Sequence, residues 1–419
     1  MMVVGLDIGT NCIRVVIGAE DDTGTFRIVG TASEKSLGLR NGNIVNIEAA
    51  ATVIKNAIEN AEQNGGVDVS SCCTAIGGDQ IEGLNTRGKV AVSPKGKSQS
   101  EIDQSDIERV RESATAVKLA LDRDILHVIT QDYIVDNIPD IKDPIHRLGV
   151  CLEASVHIIT ASKTTLQNIR GCVNRAGYFL DGVMLKTLAA THAVVTQEEM
   201  DLGSIVIDLG AGTTDILVLE KGAPVCTASI PVGGNMVTSD IAYMLGIPQL
   251  EAEKIKISDG CCWDECVNPN AEIILTSVGG QAPRVITQAD LYEVITPRVE
   301  EIFTMVVNKI MEKTKIVQLN GNIILTGGGA NMNGIVQLVQ NVFGSQAVRV
   351  GFPERFGGIE EDYAGPEWAT AVGLVKFFKD NVVKTPKKQR KMVKNSDNNS
   401  NSDKSGIFAK VKKAFRSLF

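Results

Sequence analysis

The sequence has no run of about 18 apolar residues, so no part of it reads as a membrane-spanning helix. Its opening, Met1-Met2-Val3-Val4-Gly5-Leu6-Asp7, lacks a basic stretch followed by an apolar one; no signal peptide is read there, and a cytosolic protein is expected. Histidine is scarce, with four in 419 residues, and no paired Cys-x2-Cys of the structural-zinc kind occurs. The nine cysteines, with no signal for export, argue for reduced thiols, and Cys72-Cys73 and Cys261-Cys262-x3-Cys266 read as buried or idle. What is present is enough apolar residue, 43%, to fill two or more cores. The charge is unevenly spread: from Lys384 onward 11 Lys/Arg face 2 Asp/Glu, and since the whole chain carries −8, the preceding part carries −17. An acidic body with a basic tail points to a tail with its own anionic partner.

The stretch Ser204 to Leu219, SIVIDLGAGTTDILVL, carries the strongest signal. Ile205, Val206 and Ile207 read as a buried strand that turns through Asp208 to Asp215 and resumes at Ile216 to Leu219, so the glycines fall at a hairpin tip. Glycine there lets backbone N–H groups approach an anion with no side chain between. Thr213 and Thr214 add hydroxyl donors, and Asp208, at a strand end, is placed as a hard oxygen ligand for hydrated Mg2+. This is a triphosphate cradle in outline; a tight glycine-rich hairpin without a ligand reads the same way. The same grammar recurs at Val3-Val4-Gly5-Leu6-Asp7-Ile8-Gly9-Thr10-Asn11, and two such hairpins predict two related lobes facing one nucleotide. A third signal is Gly327-Gly328-Gly329 after a strand at Ile323 to Thr326, where glycine lets backbone lie flat against a purine ring or an α-phosphate.

Between these signals strands and helices alternate. Arg27 to Ala32 continues the first sheet, Ile47 to Asn64 is an amphipathic helix, and Cys72 to Ile76 returns to a strand. Leu84 to Thr160 reads as a small inserted domain, with strands at Ile125 to Ile129 and Cys151 to Ile159. Its helix is expected to start at a Ser105/Glu108 capping box and to bury Ile107, Val110, Ala114, Val117 and Leu121. Lys163 to Ala176 and Leu188 to Thr196 predict helices around a strand at Gly182 to Leu185. Further helices are expected up to Met244, over Gln249 to Ile257, over Gln288 to Lys313 with a break or kink at Pro297, and over Trp368 to Phe378.

Two Asp-Gly hairpins, a helix between them and a distal glycine turn, in this order, resemble the actin/Hsp70/sugar-kinase ATPase superfamily. GLDIGT, LHVITQDYIVD, IPVGGNMVTSDIAYMLGIP, AEKIKISDGC, TPRVEEI and IILTGGGANMNGI together resemble FtsA, the bacterial actin-like cell division family, over Val3 to Phe378. The fold this implies is α/β: a two-lobed actin-like ATPase fold of duplicated ribonuclease-H-like domains, with an inserted small α/β subdomain and a C-terminal amphipathic helix. Residues 1–83 and 161–196 would form the first lobe, 84–160 the insert, 197–236 and 305–380 the second lobe, and 237–304 a subdomain on the adenosine side that also binds FtsZ.

The resemblance implies ATP and Mg2+ as cofactors. Asp7 and Asp208 would hold Mg2+ through water, and Gly9, Thr10 and Asn11 would meet the β/γ phosphates with Gly210, Gly212, Thr213 and Thr214. Arg14 either neutralises phosphate charge or is a solvated strand-edge arginine. Glu253 and Lys256 resemble the ribose and adenine contacts, or belong to a plain surface helix; Gly327, Gly328, Gly329 and Met332 resemble the adenine platform. Efficient relatives carry a carboxylate or amide that orients the attacking water at the end of the strand before the inter-hairpin helix, and Met184-Leu185-Lys186-Thr187 offers none. Hydrolysis is therefore expected to be slow at most, no catalytic residue is assigned, and ATP is read mainly as a clamp on the lobes that favours polymerisation.

The implied partners are FtsZ, through its C-terminal peptide, further copies of the chain, anionic membrane lipids and later division proteins, with no nucleic acid. Arg284 and Arg298 are candidates for gripping the acidic FtsZ peptide. A PilM-like adaptor of a pilus machine and a small-molecule kinase on the same fold stand as alternatives.

Residues 381–405 cannot build a core and read as a disordered linker with a typical span of about 25 to 30 Å. Beyond it, Ile407, Phe408, Val411, Phe415, Leu418 and Phe419 share one helical face, with Lys410, Lys412, Lys413 and Arg416 around the rest. At about 21 Å this helix is too short to span a bilayer and suited to lie among headgroups, each cation contributing about 1 kcal/mol near an anionic leaflet. A docked terminal helix and a nucleic-acid arm are the other readings. The expected location is the cytoplasmic face of the cell membrane at the division site, as a peripheral protein that anchors the FtsZ ring.

Overall fold

Two five-stranded sheets with the same strand order organise the protein, whose computed structural model describes residues 1–92, 99–275, 283–314 and 321–382. The first runs Phe26–Lys35, Cys12–Glu20, Met2–Ile8, Ser71–Ile76, Phe179–Leu185; the second runs Ala223–Ile230, Thr214–Glu220, Ser204–Leu209, Ile323–Thr326, Val348–Val350. In each, the first three strands are antiparallel neighbours and the remaining two are joined in parallel. Central strands carry unbroken apolar runs because both of their faces are covered: Val3, Val4 and Leu6 are all buried, as are Ile205, Val206 and Ile207. The final strand, Val348–Val350, has no counterpart in the sequence reading, since three residues are too few to show a period.

Two helices, Lys186–Val194 and Ala369–Val382, pack on each other; the first also touches the central hairpin of the second sheet, and the second touches Met2–Ile8. They therefore lie between the lobes. On the first lobe, helix Ile47–Gly65 buries Ala50, Val53, Ile54, Ala57, Ile58 and Ala61, the expected face. On the second, helix Gln288–Thr314 runs unbroken for 27 residues with Pro297 inside it. Of the expected break or kink, the break is absent: buried Leu291 and Ile295 before the proline and Val299, Ile302, Phe303, Val306 and Ile310 after it all pack on the core, which offsets the lost hydrogen bond.

A four-stranded antiparallel sheet, Ile138–Ile141, Arg123–Val135, Cys151–Ser162 and Ile81–Ala91, builds a separate layer with its own core around Val110, Leu152, Val156 and Ile158. Its helix Gln104–Thr115 is capped by Asp103, not Ser105: the Asp103 carboxylate accepts from the N–H of Ser105 and Asp106, and Asp106 returns the bond. An aspartate two positions upstream wins because it reaches two orphan N–H groups at once. The apolar stripe stops with it, since Val117 and Leu121 lie past the C-cap Ala116 and Leu121 is 93% exposed. The layer leans on both lobes. His127 accepts from the Leu185 N–H at 3.0 Å, while His157 reaches Thr227 at 2.9 Å and Gln131 donates to the Pro224 carbonyl at 2.8 Å.

No helix among the described residues is long and apolar enough to cross a membrane. The linker beyond Val382 and the amphipathic segment 406–419 lie outside the described residues.

Candidate functional site

Each central hairpin ends at one wall of a cavity of about 410 Å³ between the lobes. Register fixes what it presents. Asp7 pairs with Arg14 across the first hairpin and Asp208 with Asp215 across the second, and residues directly opposite in an antiparallel pair project to the same side. The Phe179–Leu185 strand hands over without a side-chain cap to the inter-lobe helix, so Lys186 stands at that helix's first position, between the two walls. Its ammonium lies 3.3 Å from Asp208 Oδ2 and 4.0 Å from Asp7 Oδ1.

Three buried carboxylates thus surround one ammonium. Asp215 is held by the Gly78 N–H at 2.8 Å and by the Thr213 hydroxyl at 3.1 Å, whereas Asp208 Oδ1 is buried with no hydrogen-bond partner. Burial raises the pKa of Asp7 and of Asp215, and Lys186 pulls both back. For Lys186 burial works toward the neutral amine, but the carboxylates of Asp208, Asp7 and Asp215 outweigh it and hold the ammonium charged.

From the first lobe the cavity is lined by Asp7, Gly9, Thr10, Asn11 and Arg14, and from the second by Asp208, Gly210, Gly212 and Thr213. Glu253, Lys256 and the turn of Gly327, Gly328, Gly329 and Met332 complete it. The one expected phosphate residue that the structure leaves out is Thr214. Strand alternation turns it away from Thr213, and its hydroxyl donates to the Val232 carbonyl at 2.8 Å. Arg14 is not a solvated edge residue: its guanidinium lies over the Trp368 ring, 5.7 Å from the centroid, in the cavity wall. Nor do Glu253 and Lys256 sit on a plain surface helix, for they pair at 2.6 Å in the wall, with the Lys256 ammonium also donating to the Gly234 carbonyl at 3.2 Å.

The glycines have a reason beyond ligand approach. Gly327 has φ +81°, and a Cβ there would fall 2.2 Å from Asp208 Oδ1. The second strand end leaves no room for any other residue. A Cβ on Gly212 would lie 2.8 Å from both Asn41 Cα and Thr10 Oγ1, so this glycine lets the second hairpin touch the first lobe.

Sequence reasoning missed Lys186 and Asp215. The hairpin register alone places Asp215 beside Asp208; Lys186 lies in the Met184 to Thr187 stretch, where the sequence shows only the lack of a water-orienting carboxylate or amide. Arg284 and Arg298 lie away from the cavity. Arg298 is engaged with Asp240, Nε to Oδ2 at 2.5 Å, and with Glu301, while Arg284 donates to the Leu245 carbonyl. Burial pushes the Cys72 thiol up to about 12 and raises Cys73, Cys172, Cys226, Cys261 and Cys262 as well, which makes these six unreactive. As donors, the Asp7 and Asp208 oxygens suit a hydrated Mg2+, and the partnerless Asp208 Oδ1 is a free hard ligand of the kind that ion takes. The same two carboxylates, however, already share the Lys186 charge.

Duplicated sheets, an inter-lobe cavity and an inserted layer define an actin-like two-lobed protein. Solved structures with the same fold include a chain of the PilM-PilN type IV pilus biogenesis complex, at TM-score 0.63 and 18% identity over 89% of this chain and 97% of that one. MreB 5 of Spiroplasma citri bound to AMPPNP is another, at TM-score 0.52 and 14% identity over 91% and 97%. The family model for cell division protein FtsA matches residues 205–373, and that for the SHS2 domain inserted in FtsA matches residues 78–160. Cell division protein FtsA of Borreliella burgdorferi is 41% identical over 377 residues, 90% of each chain. The chain belongs to the FtsA cell division family.

Proposed function

We propose that this chain binds ATP between its lobes, assembles with further copies of itself, and tethers the FtsZ ring to the cytoplasmic face of the cell membrane through residues 406–419. The observation that carries the reading is the convergence of two like hairpins from two lobes on one cavity, with Asp7 and Asp208 facing each other across Lys186. Backbone N–H groups of the Gly9 to Asn11 and Gly210 to Thr213 turns would receive phosphates, the Gly327 to Met332 turn and the Glu253/Lys256 pair the nucleoside. Asp7 and Asp208 are the side chains that would hold Mg2+ through water; the ion would screen the phosphate charge. FtsZ comes from the family resemblance, with Arg284 and Arg298 as the proposed peptide contacts; Arg298 would exchange Asp240 and Glu301 for the peptide's carboxylates.

ATP acts here as a clamp more than as a fuel. Lys186 occupies the place of a water-orienting carboxylate or amide, and an ammonium has no lone pair with which to accept a proton from water. One amphipathic helix binds a membrane reversibly, and a polymer engages many at once, so nucleotide state and membrane residence become linked. Co-sedimentation with anionic liposomes tests this. The full chain is expected to pellet, more so with ATP, and a chain ending at Lys384 to stay in solution; equal pelleting of the two ends the reading.

A further inference from the structure

We propose that Lys186 is a built-in counter-cation of the nucleotide site, so that ATP binds this chain with little dependence on Mg2+. The inference rests on the nucleotide reading above and concerns how the phosphate charge is met. In a site that relies on a divalent ion, the paired carboxylates are the source of the demand: two acids facing each other need positive charge between them. Here that demand is met in part from within. The Lys186 ammonium is within 4.0 Å of an oxygen of each acid, one from each lobe.

Position makes the ammonium more than a structural ion pair. It stands at the first position of the inter-lobe helix and lines the cavity directly, next to the second phosphate turn; a Cβ on Gly210 would be 4.0 Å from Lys186 Nζ. A charge there faces any anion placed on the turns, and Arg14, also in the cavity lining, supplies a second. A divalent ion entering between Asp7 and Asp208 would meet a like charge already seated in a mostly buried place, which lowers what it gains. The phosphates lose correspondingly less when the metal is withdrawn.

The test is equilibrium binding of ATP to the full chain by titration calorimetry, in excess Mg2+ and in EDTA. The parent is expected to lose no more than about threefold in affinity on metal removal, and Lys186→Gln more than about tenfold, recovered by Mg2+. Lys186→Arg keeps the charge and is expected to behave as the parent, which guards against a Gln variant that fails to fold. The proposal is overturned if the parent loses more than about tenfold in EDTA, or if Lys186→Gln matches the parent there. Absence of ATP binding by the parent even in excess Mg2+ would overturn the nucleotide reading as well; a loss confined to EDTA would overturn only this proposal.

Discussion

The two central hairpins are built alike and charged differently. Both come from the middle of a five-stranded sheet, both end in an aspartate, and in both the residue opposite that aspartate faces the same cavity. In the first lobe that opposite residue is Arg14; in the second it is Asp215. The first hairpin thus carries its own counter-charge, and the second brings a second carboxylate that Lys186, from the helix between the lobes, must answer. The two lobes share strands and turns, and their charge differs at single positions.

Making the first hairpin resemble the second is expected to have the largest effect. Arg14→Asp would leave four carboxylates around one ammonium, lowering ATP affinity about 100-fold and unfolding stability by about 3 kcal/mol. Calorimetry and urea unfolding read the two losses. If both stay within error of the parent, the Arg14/Asp215 contrast has no energetic meaning.

Next in size is Gly327→Ala, at the point where the second lobe's glycine turn closes on Asp208. The added Cβ must be accommodated at φ +81° and 2.2 Å from Asp208 Oδ1, a loss of about 2 to 3 kcal/mol in urea unfolding. Gly328→Ala, in the same triplet, meets nothing nearer than Glu367 Cβ at 4.0 Å and is expected to change stability by under about 0.5 kcal/mol. Equal losses at the two positions would show that the triplet, and not the approach of Asp208, sets the requirement.

Asp215→Asn should act in the opposite direction. It removes one of the carboxylates around Lys186 but keeps an oxygen for the Gly78 N–H, so ATP affinity is expected to rise by about three- to tenfold. A fall would mean that the Asp215 charge is needed to seat Lys186.

The contrast between the hairpins also explains what could be read from the sequence. Strand, aspartate and glycine turn are local signals, and the structure brings Asp7, Asp208 and the Gly327 turn, which they single out, to one cavity. Thr214 was misplaced because two adjacent hydroxyls look equivalent until strand alternation is applied; Thr214 caps the Val232 carbonyl instead. Lys186 was invisible as a cation of the site because nothing local marks it. Its meaning comes from a helix that touches both lobes, a fact of tertiary packing. The insert's cap failed for a local reason, a competing aspartate at 103.

The last comparison separates the lobes by pH. The inserted layer grips each lobe with one buried neutral histidine: His127 accepts from the Leu185 N–H on the first, and His157 meets Thr227 on the second while its other ring nitrogen faces Asn85. Burial, with His192 nearby, lowers His127 to about 3, and burial, with Lys313 nearby, lowers His157 to about 4. Both folded values lie below the ordinary 6.5, so as pH falls the unfolded chain takes up protons first. Their contribution is therefore complete above about pH 6.5 and is lost as pH falls toward 4, at no more than about 1.4 kcal/mol per pH unit for each. Urea unfolding at pH 7.5 and at pH values down to about 4.5 reads the slope. His157→Gln keeps a hydrogen-bonding side chain at the second lobe without a proton to gain, and is expected to remove up to one proton's worth of slope while leaving the His127 share. A slope unchanged in that variant would mean that the seam on the second lobe admits the charged ring, and that the layer is held neutrally on the first lobe alone.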